Sequence, residues 1–288
     1  MVDRTIRLRD GRTMAYAEWG EAKGPPVLVC HGIPGSRHLG RTFTVPARLI
    51  VPDRPGYGLS DPRPGRSVQD WVQDARALLD HLELQTFHVF GISGGAPYVC
   101  AVAAAFGSRV RRGAIFSGIG PLYLPHALQG MDPVQAAILR VARRAPRALG
   151  PLAAQQASHM QQDPEATVRQ IVAALPAYDQ ALLQESRAVY EGLVETQREG
   201  SRRLEGPIED AIAFVRPWGV DFTSIRSPIR LWHGDRDETA PLRLARILAE
   251  SIPGAQLTVV PGAGHIGTLR HLPEAVRYLL EEELHQPE

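Results

Sequence analysis

Thr86-Phe87-His88-Val89-Phe90-Gly91-Ile92-Ser93-Gly94-Gly95-Ala96-Pro97 is the stretch that decides the fold of this chain. Residues 86–90 combine β-branched and aromatic side chains and read as a short strand. Residues 96–106 read as a helix, with Pro97 in its first turn, where a missing N–H costs nothing. Ser93 therefore stands at a strand-to-helix junction with Gly91, Gly94 and Gly95 around it. So tight a turn forces the serine to strained dihedrals and admits only small neighbours. It also holds the hydroxyl out at the carboxyl end of a sheet, at the mouth of a helix whose N–H groups can receive a developing anion. The plain alternative is a glycine-rich turn with an incidental serine, and the rest of the chain weighs against it.

On either side the pattern alternates strand and helix. Residues 5–8 and 13–18 alternate apolar and polar side chains across Asp10-Gly11, a hairpin signal. Residues 27–30 and 48–51 are short apolar runs bounded by Pro and Gly, as buried parallel strands are. From 67 to 82, Val68, Trp71, Val72, Ala75, Leu78, Leu79 and Leu82 recur at helical spacing, with Ser67 as N-cap. Residues 113–117 form another strand. The alternation predicts an α/β class with a mostly parallel, doubly wound sheet.

After Gly120 the strands stop. Helices are predicted at 133–144, 151–160, 164–175, 178–199 and 207–215, a block too long to be a loop. It reads as an inserted helical cap over 122–216, between a first core segment (1–121) and a second (217–288). In the second segment, 229–233 and 256–260 read as strands and 241–251 and 273–284 as helices.

Composition narrows the function classes. The 288 residues carry a formal net charge of +1, with 44% hydrophobic and 22% charged side chains, so neither sign dominates and neither nucleic acid nor a membrane surface is an expected partner. A small-molecule substrate is. Lys23 is the only lysine, and the remaining basic charge is arginine. Cys30 and Cys100 lie in apolar segments and read as buried hydrophobes, not a disulfide. No signal peptide or membrane span is legible, so a cytoplasmic location is expected. No metal-ligand spacing appears, and the turn at Ser93 lacks the lysine of a phosphate-binding loop, so no cofactor is expected.

A serine hydroxyl needs a base, and the base needs an orienting acid. His233-Gly234-Asp235-Arg236-Asp237 follows a strand, and Gly262-Ala263-Gly264-His265 follows the next. Asp237 is the preferred acid from its offset to Pro241, with Asp235 a rival and helix capping the plain alternative for either. His265 is the base, and its flanking glycines are expected to leave room for a substrate. Ser93, Asp237 and His265 are the catalytic candidates, in the order serine, acid, histidine. The Gly94 N–H and the Ile33 N–H, in His31-Gly32-Ile33-Pro34-Gly35, are the candidate oxyanion hole, with Gly32 permitting a sharp turn.

These motifs, with Asp53-Arg54-Pro55-Gly56-Tyr57-Gly58-Leu59-Ser60, together resemble the capped α/β-hydrolase superfamily, in its esterase, lactonase and carbon–carbon hydrolase branch. The resemblance implies the same triad and oxyanion pair. Serine at 93 argues against the dehalogenase and epoxide hydrolase branches, which use aspartate there. Glycine at 94 weakens any transfer from cofactor-free haloperoxidases.

Other residues read as structural. Asp53 to Ser60 is a turn fixing a strand end. His31 and His233 are hydrogen-bonded scaffold, Trp218 a packing anchor, and the arginines at 143, 144, 147, 202 and 203 a solvated face. The expected activity is hydrolysis of a carboxylic ester or lactone through an acyl-enzyme. The alternatives keep the triad for an amide, thioester or carbon–carbon bond, or leave a ligand-binding protein on the scaffold. Amide work needs an acidic anchor for an amine, for which Glu191, Glu195 and Glu199 share one helical face, a face more simply read as solvated.

Overall fold

In the computed structural model, which describes residues 3–281, the apolar runs become one eight-stranded sheet. β1 (Arg4–Arg7) and β2 (Thr13–Gly20) form the antiparallel hairpin, with Gly11 turning it at φ 86°. β3 (Pro26–Cys30), β4 (Arg48–Pro52), β5 (Phe87–Ile92), β6 (Val110–Phe116), β7 (Ile229–Gly234) and β8 (Gln256–Val260) follow. Their spatial order is β1-β2-β4-β3-β5-β6-β7-β8; β4 pairs antiparallel with β2, and every neighbour from β4 to β8 is parallel.

Parallel strands must be covered on both faces, and the alternation along each strand decides which side chain goes where. On β5, Val89 faces the layer of α1 (Trp71–His81) and α2 (Ala96–Phe106). Phe90 faces the opposite layer, with Phe116 and Trp232. α9 (Leu242–Ser251) joins the first layer and α10 (Leu272–Leu280) the second. Each such large apolar side chain contributes about 1.5–3 kcal/mol on leaving water. Cys30 and Cys100 are free and buried, and burial pushes the Cys30 thiol up to about 12, so it stays protonated. Trp218 packs its buried ring edge-on against Tyr123 and Phe222.

Six helices lie between β6 and β7, with no strand among the described residues there: α3 (Pro133–Arg144), α4 (Leu149–Gln162), α5 (Pro164–Ala173), α6 (Ala177–Glu185), α7 (Arg187–Gly200) and α8 (Glu205–Phe214). Glycines on these helices let them lie directly on core loops: a Cβ on Gly200 would stand 2.3 Å from Gly35 O, and one on Gly206 would stand 2.6 Å from Gly56 O.

Two expectations need correction. The α-helix expected from 67 begins at Trp71, after a tight turn in which Trp71 N donates to Val68 O and Val72 N to Gln69 O; Ser67 caps that turn, accepting from Asp70 N on its Oγ while its own N and Oγ donate to Asp70 Oδ2 at 2.8 Å. The helix expected over 178–199 is two, broken at Ser186, whose hydroxyl caps α7 by accepting from Val189 N. Of the helix expected over 273–284, Leu272–Leu280 is seen, and residues 282–284 lie outside the described range. No helix among the described residues is long and apolar enough to cross a membrane.

Candidate active site

Ser93 follows β5 directly and opens the turn into α2 at φ 54°, the left-handed region that L side chains avoid. The neighbouring glycines hold that turn in place by close approach. A Cβ on Gly95 would stand 2.1 Å from Cys30 O, and one on Gly91 2.5 Å from Val99 Cγ2. Gly32 faces the same turn at ordinary contact distance: a Cβ there would sit 3.4 Å from Ser93 Cβ and 3.9 Å from Ser93 Oγ.

Asp237 and His265 come from loops after β7 and β8. His265 Nδ1 lies 2.8 Å from Asp237 Oδ2, and a carboxylate only accepts, so Nδ1–H donates and Nε2 is the free ring nitrogen. Both readings of Asp237 hold, one on each oxygen: Oδ1 caps the turn before α9 by accepting from Thr239 N (2.9 Å) and Ala240 N (2.8 Å). The rival Asp235 instead takes the Gly262 N–H at 2.8 Å. His233 donates from Nε2 to Ala240 O and lies 3.4 Å from Asp237 Oδ2, so it braces the acid as scaffold. Burial disfavours charge on His265, but the Asp237 charge and hydrogen bond, with Asp179 adding, outweigh it and raise its pKa.

Sheet register brings the serine and histidine loops towards one another. Ile92 pairs with Phe116, so Ser93 and Ser117 leave adjacent strands at the same level. The loop after β8 crosses the end of β7 to reach them, with Thr268 Oγ1 2.9 Å from Ser117 Oγ. No hydrogen bond joins Ser93 Oγ to His265 among the described residues. Gly94 is covered by Ile33 Cγ2 and the Phe214 ring, 3.0 and 3.1 Å from where its Cβ would be. That explains the glycine: the space a methionine or tryptophan would fill is occupied by a side chain from α8.

Two acids that the sequence reading passed over are built into the loops of this site. Asp210, on α8, is wholly buried and accepts from Arg54, Arg66, Tyr57 and Tyr98. Arg54 in turn donates to the carbonyls of His31 and Gly32, so this network holds the loop that carries Ile33. His31 is buried and neutral, its pKa held well down by burial and then by Arg54, and its Nε2 accepts the Arg54 N–H at 3.2 Å. Asp179, on α6, accepts from Gly264 N (2.7 Å) and Ile266 N (2.8 Å). The signal that could have revealed both is a lone acid on the apolar face of a helix, Asp179 beside Leu182 and Leu183, and Asp210 in line with Gly206 and Phe214.

The glutamate face expected to be solvated is not. Glu199 is buried and takes Arg37 Nη1 at 2.7 Å, while Glu195 takes His38 Nδ1 at 2.9 Å. Glu191 is half-buried and pairs with the exposed Arg187. Gly264 is also corrected: the room it leaves is filled by Asp179 and Pro176, not left for a ligand. Among the described residues, no group of three or more His, Cys, Asp or Glu side chains is placed to hold a metal ion.

The family model for the alpha/beta hydrolase fold matches residues 25–272, and the chain belongs to that family. It is 36% identical over 107 residues to the uncharacterized hydrolase YcgS of Bacillus subtilis (strain 168), covering 35% of this chain and 36% of that protein. It is 25% identical over 263 residues to a 2-hydroxymuconate semialdehyde hydrolase of Pseudomonas putida, covering 87% and 84%. Several curated relatives are matched over a third to just under half of their own length. In structure the chain is similar to an alpha/beta hydrolase fold protein from Nakamurella multipartita, with a TM-score of 0.72 and 22% identity over 96% of this chain and 99% of that one.

Proposed function

We propose that this chain is a serine hydrolase that cleaves a carboxylic ester or lactone of a small organic substrate through an acyl-enzyme. One observation carries the reading: a serine held at φ 54° on a strand-to-helix turn, served by a loop whose histidine is already hydrogen-bonded to a buried aspartate at 2.8 Å. Ser93 attacks the carbonyl while His265 Nε2 takes its proton, and Asp237 fixes the tautomer and stabilises the imidazolium. The N–H groups of Ile33 and Gly94 receive the oxyanion, each such donor being worth about 3 kcal/mol of barrier. The helices over 122–216 act as the cap, with Phe214 set against the nucleophile turn to shape the acyl side. Catalytic hydrogen bonds tighten on substrate binding, so the Ser93–His265 bond belongs to the complex.

Carbon–carbon bond hydrolysis is the second reading, favoured by the match over 87% of this chain to the semialdehyde hydrolase. The amide reading loses its support, because Glu199 is committed to Arg37 and Glu195 to His38. A fluorophosphonate should label Ser93 stoichiometrically, as mass spectrometry of the tryptic peptide would show; an unlabelled Ser93 sinks the serine hydrolase. Release from a nitrophenyl ester, a prolyl anilide and a vinylogous diketone then ranks the bond types.

The pH dependence follows from His265. A general base must be neutral, so kcat/KM should fall as pH drops through a histidine pKa raised above its usual 6.5. The acid limb should therefore have its midpoint above pH 6.5 and vanish from the profile of His265→Gln. A limb centred below that value contradicts the role given to Asp237.

A further inference from the structure

We propose that Asp179, on α6, is a positioning residue for His265: its two carboxylate oxygens hold the backbone N–H groups on either side of that histidine, so a helix outside the sheet sets where the imidazole stands. Oδ1 accepts from Gly264 N at 2.7 Å and Oδ2 from Ile266 N at 2.8 Å, and the carboxylate is wholly buried. The contact is close on both sides. A Cβ on Gly264 would stand 2.8 Å from Asp179 Oδ2, and one on Gly267 would stand 2.3 Å from Asp179 Oδ1. Glycine is therefore needed at 264 and 267 so that α6 can reach the loop. Asp237 fixes the ring by its Nδ1, while Asp179 fixes the backbone that carries the ring. Without the clamp the ring could still find Asp237, but as a rotation of the whole loop and not as one set geometry.

The charged and titratable groups facing His265 are Asp237 from the loop after β7, His233 at the end of β7 and Asp179 from α6. Of these, Asp179 alone reaches it through the backbone. Its negative charge also favours the imidazolium. Loss of that charge with the helix intact should therefore lower the pKa of the base.

The test is Asp179→Asn, which keeps the shape but places an NH₂ against one of the two N–H donors. The kinetic arm rests on the serine hydrolase reading. On a nitrophenyl ester kcat should fall on the order of 10- to 100-fold, as small misplacements of catalytic groups do, with KM changed much less. The acid limb should move to lower pH. The titration arm does not depend on that reading: the His265 ring pKa, followed by NMR and assigned by the signal lost in His265→Gln, should also fall. Glu185→Gln, on the same helix but in an exposed pair with Arg270, should change neither. A kcat within threefold of wild type, or an unmoved His265 titration in a folded variant, overturns the proposal, even if thermal stability drops. Should Asp179→Asn fail to fold, hydrogen exchange on the wild type decides. The Gly264 and Ile266 amides should be protected from exchange through their bonds to Asp179, and fast exchange at both overturns the clamp. If Ser93 resists labelling while the titration shifts, the functional reading fails and the clamp stands.

Discussion

Ser93→Ala should turn over a nitrophenyl ester on the order of 10⁴-fold or more slowly than the wild type, with the fold and its melting midpoint little changed. The loss corresponds to about 5.5 kcal/mol of barrier. It is large because, in the proposed mechanism, the alcohol is the group that forms the covalent intermediate and the remaining parts act through it. Removing Oγ leaves the oxyanion loop, the His265–Asp237 pair and the covering helices in place, so whatever rate survives comes from binding and dipoles alone. Alanine is as strained as serine at φ 54°, so the turn itself costs the variant nothing extra. Equal rates for variant and wild type, under conditions where the wild type is labelled at no other serine, would remove Ser93 from the chemistry.

Asp210→Ala should be the most destabilising single change on the helices between β6 and β7. Asp210 accepts from two arginines and two tyrosines in a wholly buried site. Its removal strands Arg54 and Arg66 as uncompensated buried cations, typically a cost of about 3–5 kcal/mol. For a chain of this size that lowers the thermal midpoint by roughly 6–20 °C. The sign of the acid dependence follows from the carboxyl itself. Burial opposes its charge, but Arg54 and Arg66 outweigh burial and hold its pKa far below the ordinary range. The unfolded carboxyl titrates near about 3.9, so this stabilisation is complete above that pH and is lost as the pH falls towards the depressed native value. Wild type should therefore lose stability to acid more steeply than the variant. Because Arg54 also holds the His31 and Gly32 carbonyls, activity should fall alongside stability. A midpoint within 2 °C of wild type would show that the network contributes nothing net.

Asp179 and Asp210 make the helical segment more than a roof. One fastens the histidine loop and the other, through Arg54, the loop carrying Ile33, while Glu199 ties α7 to Arg37, which Asp53 also holds. Three buried carboxylates at three separate points argue for a fixed seat on the core.

Much of this was legible before any coordinates. The strands, the turn at Ser93 and the helix after it depend on local pattern: β-branched runs, a proline at a helix start, glycines at a tight corner. Asp237 and His265 were readable because loops after parallel strands must emerge at one edge. The break at Ser186 was not, because a serine that caps a helix leaves the apolar periodicity around it unchanged. The glutamates on α7 were misjudged for a related reason: helical spacing shows that they share a face but not what that face meets.

By itself, the sequence determined the order of elements, the sheet they form and the three side chains proposed to react, since each follows from neighbours close along the chain. Only the tertiary structure decided why Gly94 and Gly264 must be glycine, which acids are buried, and what holds the reactive loops in place. Those answers come from residues far apart in the chain, where a contact is set by how helices seat on a sheet and not by any local preference.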